Sequence, residues 1–521
     1  MKTRFSLLTL LLWTGLVLVA QTHIKVKDPN TWTTDELEPY VGQTVIFDVP
    51  IVVCSNASSY AYTVSTRRLF TPTNQAIPNS EAIKTVSTMN SKGAMQLTGL
   101  SKELRCGDKI YNLKAKVNSK TDLSYISGPC ENSRTYYDTV NVRRLVNIAD
   151  CDTCLLVCTS NLENYFVGNN RHSYQRAKVI DALTHIDADL FGFVELECGD
   201  AAIKEIVSHL NSALPHRSYT YVADKTSDCG TDTKAAFVYD KKVLKPYGAL
   251  LVIDNRKEMQ VFEQKHNGER FIYSVNHFKA KSGSGTGRDA DQHDGQGQYN
   301  ETRCKEAHAV IERYNSLVGQ REDKDILIMG DLNAYAKEDP IRKFLDNGMI
   351  DLHRAFHADT SYSYCFVSRE PHLTGYLDHA LCSSTMFAQV RGATGFHVNS
   401  DENDRYDYQH SEDRTMFRYS DHDPVLVGLR LDGNATYDPK PEINNLDIMR
   451  GKTDQLIIRD AQMAGGQDSY FAIYDVSGRS VVSATKIDSN AQSVNLPTAP
   501  GVYILYIYFD TKVYPYKFIV P

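Results

Sequence analysis

Residues 325–340 read DILIMGDLNAYAKEDP. The run ILIM is a strand that ends at Gly330 and delivers Asp331 and Asn333 with one residue between them. At a strand period of two, both side chains emerge on one face. An acceptor carboxylate beside an amide donor, where a chain leaves a sheet, can position a water molecule and hold a phosphate oxygen. Asp339 and Pro340 then read as the N-cap and first position of the helix PIRKFLDNG, and so as structural residues.

The surrounding sequence, from about residue 150 to 431, repeats this strand and helix grammar. Val179, Ile180, Leu183 and Ile186 fall at helical spacing, DLFGFVEL (189–196) is a strand, and Ile203, Ile206, Val207 and Leu210 mark another helix. The pattern predicts an α/β domain over 149–432. Residues 21–148 alternate apolar and polar residues in short stretches such as QTVIFDVPIVV and KIYNLKAKV, which predicts a small β-domain. Residues 433–445, GNATYDPKPEINN, lack apolar periodicity and read as a linker. The stretch 446–521 ends in GVYILYIYFDTKVYPYKFIV and predicts a compact β-sandwich.

Composition narrows the function. With 521 residues, 42% hydrophobic and 23% charged, the chain is a multidomain globular protein, not a coiled coil, collagen or disordered chain. The formal net charge of −7 leaves no global basic field, so a polyanion must be held by a local site or by metal ions. Lys2 and Arg4 before the apolar run Leu7–Val19, closed by Ala20, match a secretory signal cleaved after Ala20. That run is shorter than the ~20 residues that span a bilayer. Export and a secreted or cell-surface location are expected, with no stable membrane span. The 11 cysteines follow the signal, where bridges are permitted, and their odd number leaves at least one unpaired within the chain. Cys151, Cys154 and Cys158 lack a second CxxC or HxxxH at zinc spacing and read as core or disulfide cysteines.

Further strand ends carry chemistry-bearing residues. Asn161 follows CLLVC in CTSNLENYF; taken alone it is an ordinary turn Asn. Glu195 in DLFGFVELE is a carboxylate at a buried strand, where ionisation requires a cation or donor. A divalent metal would compensate it, as would a structural ion pair, and Glu197 shares its parity. Ser420, Asp421 and His422 precede the strand VLVGLRL, and Asp378 ends the apolar stretch in GYLDHALCS. A carboxylate that holds an imidazole fixes its tautomer and raises its pKa. His277 in RFIYSVNHFKAKSG is a second strand-end imidazole, followed by Lys279 and Lys281. Each residue singly is as well explained by a packed or surface role.

The ordered set SNLENYF, FGFVELE, VNHFKAKSG, GDLNAYAKEDP, GYLDHAL and YSDHDPV resembles the endonuclease/exonuclease/phosphatase superfamily typified by deoxyribonuclease I. DQHDGQGQYNETR (Asp291–Arg303) and DTSYSYCF resemble stretches of its secreted multidomain bacterial nucleases. The resemblance implies a four-layered arrangement of two packed mixed β-sheets flanked by helices, with the catalytic groups at one edge. It implies that Glu195, Asn161 and Asp421 form a Mg²⁺ or Mn²⁺ site, with Ca²⁺ a further ion the family admits. Asp331 would orient or deprotonate the attacking water, Asn333 would hold the phosphate, and His422 oriented by Asp378 would stabilise the pentacoordinate phosphorus. His277 would be the second phosphate-facing imidazole, with Lys279 and Arg303 as substrate contacts. The tail, through Gly478, Arg479 and GVYIL, is similar to type IX secretion sorting domains, which implies a secretion-machinery partner. The N-terminal domain is similar to OB-like modules fused to such nucleases.

Two departures stand out. Cys154 and Cys158 replace aliphatic residues, and Asp401–Arg414, DENDRYDYQHSEDR, is a charged loop that reads as a solvated insertion. The expected function is a secreted metal-dependent nuclease acting on DNA, with RNA as an alternative, at low sequence specificity. A phosphodiesterase or phosphatase on lipid or small molecules is the competing enzyme, and a non-catalytic nucleic-acid-binding surface protein is the competing class. The second requires loss of a site residue, and none is missing.

Overall fold

The computed structural model describes residues 22–55, 61–126, 136–138, 148, 154–223, 232–318, 324–357, 360–367 and 371–431, and most of 447–520 in segments that carry the C-terminal strands. The signal segment, the linker 433–445, Cys130, Cys151, Cys229 and the Gly478–Arg479 pair lie outside the described residues. The chain divides at Gly433 into two units. No helix among the described residues is long and apolar enough to cross a membrane.

Two six-stranded mixed sheets form the centre of the first unit. One runs in the order Tyr219–Tyr221, Thr233–Asp240, Leu190–Glu197, Leu155–Tyr165, Val425–Leu429, Val390–Gly395. The other runs Leu244–Asp254, Lys257–Gln264, Arg270–His277, Ile326–Asp331, Asp378–Cys382, Ile350–Asp351. The strand Ile326–Asp331 is buried throughout, between a parallel neighbour, Arg270–His277, and an antiparallel one, Asp378–Cys382. An unbroken apolar run suits a strand covered on both faces. Val157, Val194 and Phe237 of the first sheet share one core with Tyr273, Val275 and Met329 of the second. Each fully buried side chain of this size contributes about 1.5–3 kcal/mol. Gly192 permits the close approach, because a Cβ there would stand 2.3 Å from Val275 Cγ2 and 2.5 Å from the Tyr273 hydroxyl.

Helices cover both outer faces. His172–Ile186 and Ala201–Ala213 place Val179, Leu183, Ile186, Ile203, Ile206 and Leu210 on the first sheet, as their spacing predicted. Asn300–Val318 and Asp339–Asp346 place Val310, Ile311, Tyr314 and Phe344 on the second. The result is four layers, helix, sheet, sheet, helix. The short helix begins at Asp339 with Glu338 as its N-cap residue, one position before the expected cap, and Pro340 lies in its first turn. Cys158 is a free thiol in the first core cluster and Cys154 is disulfide-bonded, in line with the core or disulfide reading.

The N-terminal β-domain belongs to the same unit as these layers. Thr44–Phe47 and Ile51–Val53 pair with Lys114–Ser119 on one side and Tyr62–Ser65 on the other. Tyr62–Ser65 continues to Met95–Thr98, which runs parallel to Asp122–Tyr125, and that strand returns to Lys114–Ser119. These strands belong to one nine-stranded sheet with a core of Phe47, Val53, Tyr62, Val64, Leu97 and Val117. In the second unit, a three-stranded and a four-stranded antiparallel sheet share a core of Leu456, Ile458, Phe471, Ile473, Leu505 and Ile507.

Candidate active site

Strand register assembles one edge of the layered domain. In the parallel pair His277 stands beside Asp331, and in the antiparallel pair Asp378 stands opposite Asp331. Three residues separated by 54 and 47 positions are therefore neighbours at the end of one sheet. Gly330, just before, has φ +129°, and a Cβ there would lie 2.0 Å from the Asn276 carbonyl oxygen, so only glycine lets the chain reach this edge. Asn333, at φ 47°, turns back so that its backbone N–H donates to Asp331 Oδ1 at 2.8 Å and its Nδ2 donates to Asp331 Oδ2 at 3.2 Å. The pair expected from strand alternation is brought together by an Asx turn after the strand has ended.

The first sheet supplies the facing groups. Asn161 Nδ2 donates to Glu195 Oε1 at 3.0 Å and to Asp331 Oδ2 at 3.2 Å, tying the two sheets together. Its Oδ1 accepts from the Glu163 N–H at 2.9 Å. Glu195 sits at φ 58° where the pairing of Leu190–Glu197 shifts register between Phe193 and Leu196. Such a bulge re-aims a side chain at a sheet edge. It also breaks the period of two, so Glu197 does not join Glu195 as expected from their parity; it accepts from the Val167 N–H at 2.9 Å instead.

His277 Nε2 is 3.5 Å from Glu195 Oε1 and 3.7 Å from Asp331 Oδ2. His422 Nδ1 is 2.7 Å from Asp378 Oδ2, leaving Nε2 3.9 Å from Asp331 Oδ2. The two imidazoles are in opposite states. Burial, then Arg256, holds His277 well below the ordinary imidazole range. Burial also opposes charge on His422, but Asp378, Asp331 and Asp421 outweigh it and hold that imidazole well above the ordinary range. Burial pushes Asp331 up to about 7, with Asp378 and Glu195 adding and His422 opposing. Glu195 is raised by burial, against hydrogen bonds from Asn161 and Asn164.

Two groups among the described residues place possible ligand atoms within 4.8 Å of one another: Glu195, His277 and Asp331, and Asp331, Asp378 and His422. In the second, Asp378 Oδ2 is already committed to His422 and to the Ser363 hydroxyl at 2.7 Å. The first, with the Asn161 amide, offers crowded, desolvated carboxylates of the hard-oxygen type that suits a divalent cation. Asp421 is in neither group; its Oδ2 lies 4.0 Å from His422 Nε2.

The expected substrate contacts divide. Lys279 is half-buried with its Nζ 4.6 Å from the Tyr299 ring centroid, at the mouth of the loop that follows His277. Arg303 is fully buried and donates to the carbonyls of Lys279, Gln298 and Gln296 at 3.3, 2.8 and 3.0 Å. It braces that loop from within, because a buried guanidinium needs acceptors and the backbone supplies them. Sequence reasoning missed Ser363, whose hydroxyl also accepts from the Asp378 N–H at 3.1 Å, and Tyr364, whose ring centroid is 4.8 Å from that of His422. Both lie in the quoted SYSYCF, but nothing local marks them as neighbours of Asp378 and His422.

The edge cluster has the acidic and imidazole groups that a metal-assisted hydrolase requires. The model of the Endonuclease/Exonuclease/phosphatase family matches residues 158–422, just over half of the chain, and the chain belongs to that family. Its members are metal-dependent phosphoesterases. Similar solved structures include a family member from Bacteroides thetaiotaomicron, at 18% identity and a TM-score of 0.38, covering 54% of this chain and 96% of that one. The human Nocturnin catalytic domain with bound sulfate is similar at 13% identity and 0.38, covering 54% and 95%. The mannosyl-6-phosphatase of Bacteroides thetaiotaomicron is similar at 18% identity and 0.36, covering 52% and 98%. No curated protein matches the chain.

Proposed function

We propose that the protein is a secreted, divalent-metal-dependent nuclease that hydrolyses phosphodiester bonds of DNA with little sequence preference. The observation that carries the hydrolytic reading is the 2.7 Å pair of His422 and Asp378, aimed at Asp331 beside Glu195 and Asn161. Glu195, Asn161 and Asp331 would hold Mg²⁺ or Mn²⁺, with Asp421 at the rim; bound there, such an ion polarises a phosphoryl oxygen and neutralises developing charge. Asp331, at the end of its strand and oriented by Asn333, is placed to take a proton from the attacking water. His422, kept protonated by Asp378, donates from Nε2 to a phosphate oxygen. His277, kept neutral, can donate from one ring nitrogen without adding charge. Asn333 holds Asp331 in the orientation this needs.

The loop DQHDGQGQYNETR supports nucleic acid as substrate over a small phosphoester, through its likeness to secreted nucleases. The all-β N-terminal sheet with its own core supports the OB-like reading, which would add a contact face for nucleic acid. The signal-like start supports export, and the two-sheet C-terminal unit supports a sorting role.

The test incubates purified protein with circular plasmid, linear duplex and single-stranded DNA, with and without EDTA. Cleavage of closed circles that EDTA abolishes and Mg²⁺ or Mn²⁺ restores is expected. Full cleavage after exhaustive chelation would sink the metal assignment. Phosphate release from a monoester with no cleavage of any DNA would replace the nuclease with a phosphatase.

A further inference from the structure

The N-terminal domain meets the catalytic layers at several points, and one of them, the segment Arg68–Thr71, lies beside the catalytic edge. The Leu69 carbonyl accepts from the Thr374 N–H at 2.9 Å, and the Thr71 N–H donates to the Thr374 carbonyl at 2.8 Å, so Phe70 adds a parallel bridge to the hairpin of Tyr364–Phe366 and Leu373–Gly375. Arg68, just before, faces the same hairpin. Its Nη1 donates to Asp401 Oδ1 at 2.8 Å and its Nη2 to the Tyr362 hydroxyl at 3.3 Å, while its Cζ lies 4.0 Å above the Tyr362 ring. Tyr362 donates to Asp401 Oδ2 at 2.6 Å, and its other face stacks at 3.8 Å on His397, which bonds Asp423 at 2.8 Å.

The two residues after Tyr362 touch the hydrolytic pair directly. The Ser363 hydroxyl donates to Asp378 Oδ2 at 2.7 Å, its carbonyl accepts from the Asp423 N–H at 2.8 Å, and Tyr364 bridges and packs on His422. Asp378, Ser363, Asp401 and Asp423 are all nearly or fully buried. A buried carboxylate needs a charged or hydrogen-bonding partner, and for Asp401 the cation comes from the other domain.

We propose that Arg68 is a positioning residue for phosphoester hydrolysis: by clamping Tyr362 and Asp401 it holds Ser363 and Tyr364 in the places that orient Asp378 and His422. The N-terminal domain, whose sequence carries no hydrolytic motif, is on this account a working part of the active site. The proposal rests on the reading of Asp378 and His422 as the hydrolytic pair.

The test uses the full chain with Mg²⁺ and a chromogenic phosphodiester, bis(4-nitrophenyl) phosphate. It reads kcat, KM, Tm and the downfield proton resonance of the His422 Nδ1–H that faces Asp378. Arg68→Met should lower kcat about 10- to 100-fold, the range for residues that orient others, with KM changed by no more than about threefold. Arg68→Lys should recover part of the loss. Since Arg68→Met leaves Asp401 buried without its cation and can fail to fold, Tyr362→Phe is made beside it; it should lower kcat less, and should shift the downfield resonance. Arg105→Met is the comparison, because Arg105 also forms a buried cross-domain ion pair, with Glu402 at 2.9 Å. It should lower Tm while leaving kcat and the resonance unchanged.

Folded Arg68→Met, or Tyr362→Phe if that is the folded variant, with wild-type kcat and an unshifted resonance would overturn the proposal, provided Asp378→Asn is inactive. Full activity of Asp378→Asn would instead remove the reading of the pair, and the proposal with it.

Discussion

At the scale of single residues, the site separates like groups by environment. Two imidazoles a few ångströms from Asp331 are driven apart, His422 toward the charged form by three carboxylates and His277 toward the neutral form by burial and Arg256. Such a split marks distinct acid–base roles. His422→Ala, Asp331→Ala and His277→Ala should each lower turnover by about 100-fold or more while circular dichroism stays native. Asp378→Ala should resemble His422→Ala, and the double variant should be no worse than about the weaker single, because the two act as one unit. A folded variant at wild-type rate would strip that residue of its role. Farther from the chemistry, His353 is buried with Nε2 3.0 Å from the Asp378 carbonyl oxygen, and burial lowers its pKa to about 4. Its folded pKa lies below the unfolded value of about 6.5, so the unfolded chain binds the extra proton. Stability is therefore full above that pH and falls as pH drops toward 4, by an amount on the order of 3 kcal/mol. Urea unfolding at pH 7 and 4.5 should show the loss, and His353→Gln should reduce it; an equal loss in the variant would exclude His353 as its source.

At the scale of elements, the strand Leu190–Glu197 carries its function in an irregularity. Glu195 points into the cluster because its backbone is left-handed, a conformation that L side chains adopt at a cost of roughly 1 kcal/mol. Glu195→Ala and Glu195→Gly should both be inactive, since both remove the carboxylate. The glycine variant should nevertheless be the more stable by about 1 kcal/mol in denaturant unfolding, because it alone relaxes that strain. An alanine variant of equal or greater stability would show that the bulge is unstrained. The same bulge explains why Glu197, equivalent in a regular strand, lies elsewhere. The Asp401–Arg414 loop makes the complementary point. It reads as a solvated insertion, yet Asp401, Glu402, Asn403, Asp407 and Tyr408 are buried, and Arg68 and Arg105 neutralise the first two. Asp401 and Glu402 are paired with residues about 300 positions away.

At the scale of the whole molecule, the C-terminal unit has its own core, and every group of the hydrolytic cluster lies before Gly433. A chain of residues 21–432 should therefore keep the full-length hydrolytic rate and the Tm of the first unit, as assayed on plasmid DNA and by calorimetry. A large drop in rate would show that the tail acts on catalysis. Cutting away the N-terminal domain is the opposite case. It removes the Arg68 and Arg105 ion pairs of Asp401 and Glu402 and opens the surface those arginines cover. The catalytic layers alone should be insoluble or lack a cooperative melt, and a well-folded, active fragment of residues 149–432 would contradict this.

The sequence by itself determined the alternation of strands and helices and the polar residues at the strand ends, because apolar periodicity and strand-end polarity are local signals, whereas the four layers were implied by the resemblance of its ordered motifs. Asn161, Glu195, His277, Asp331, Asn333, Asp378 and His422 were visible at strand ends, their grouping was implied by the resemblance, and the structure brings them to one edge. Only the tertiary structure decided how they meet. The register that sets His277 and Asp378 on either side of Asp331, the bulge that turns Glu195 inward and Glu197 away, and the burial of Arg303 behind its loop depend on contacts between distant strands. The joining of the N-terminal domain to the hydrolytic edge through Arg68 was likewise invisible in sequence. A buried ion pair leaves no periodic trace, and each of its partners alone looks like an ordinary surface charge.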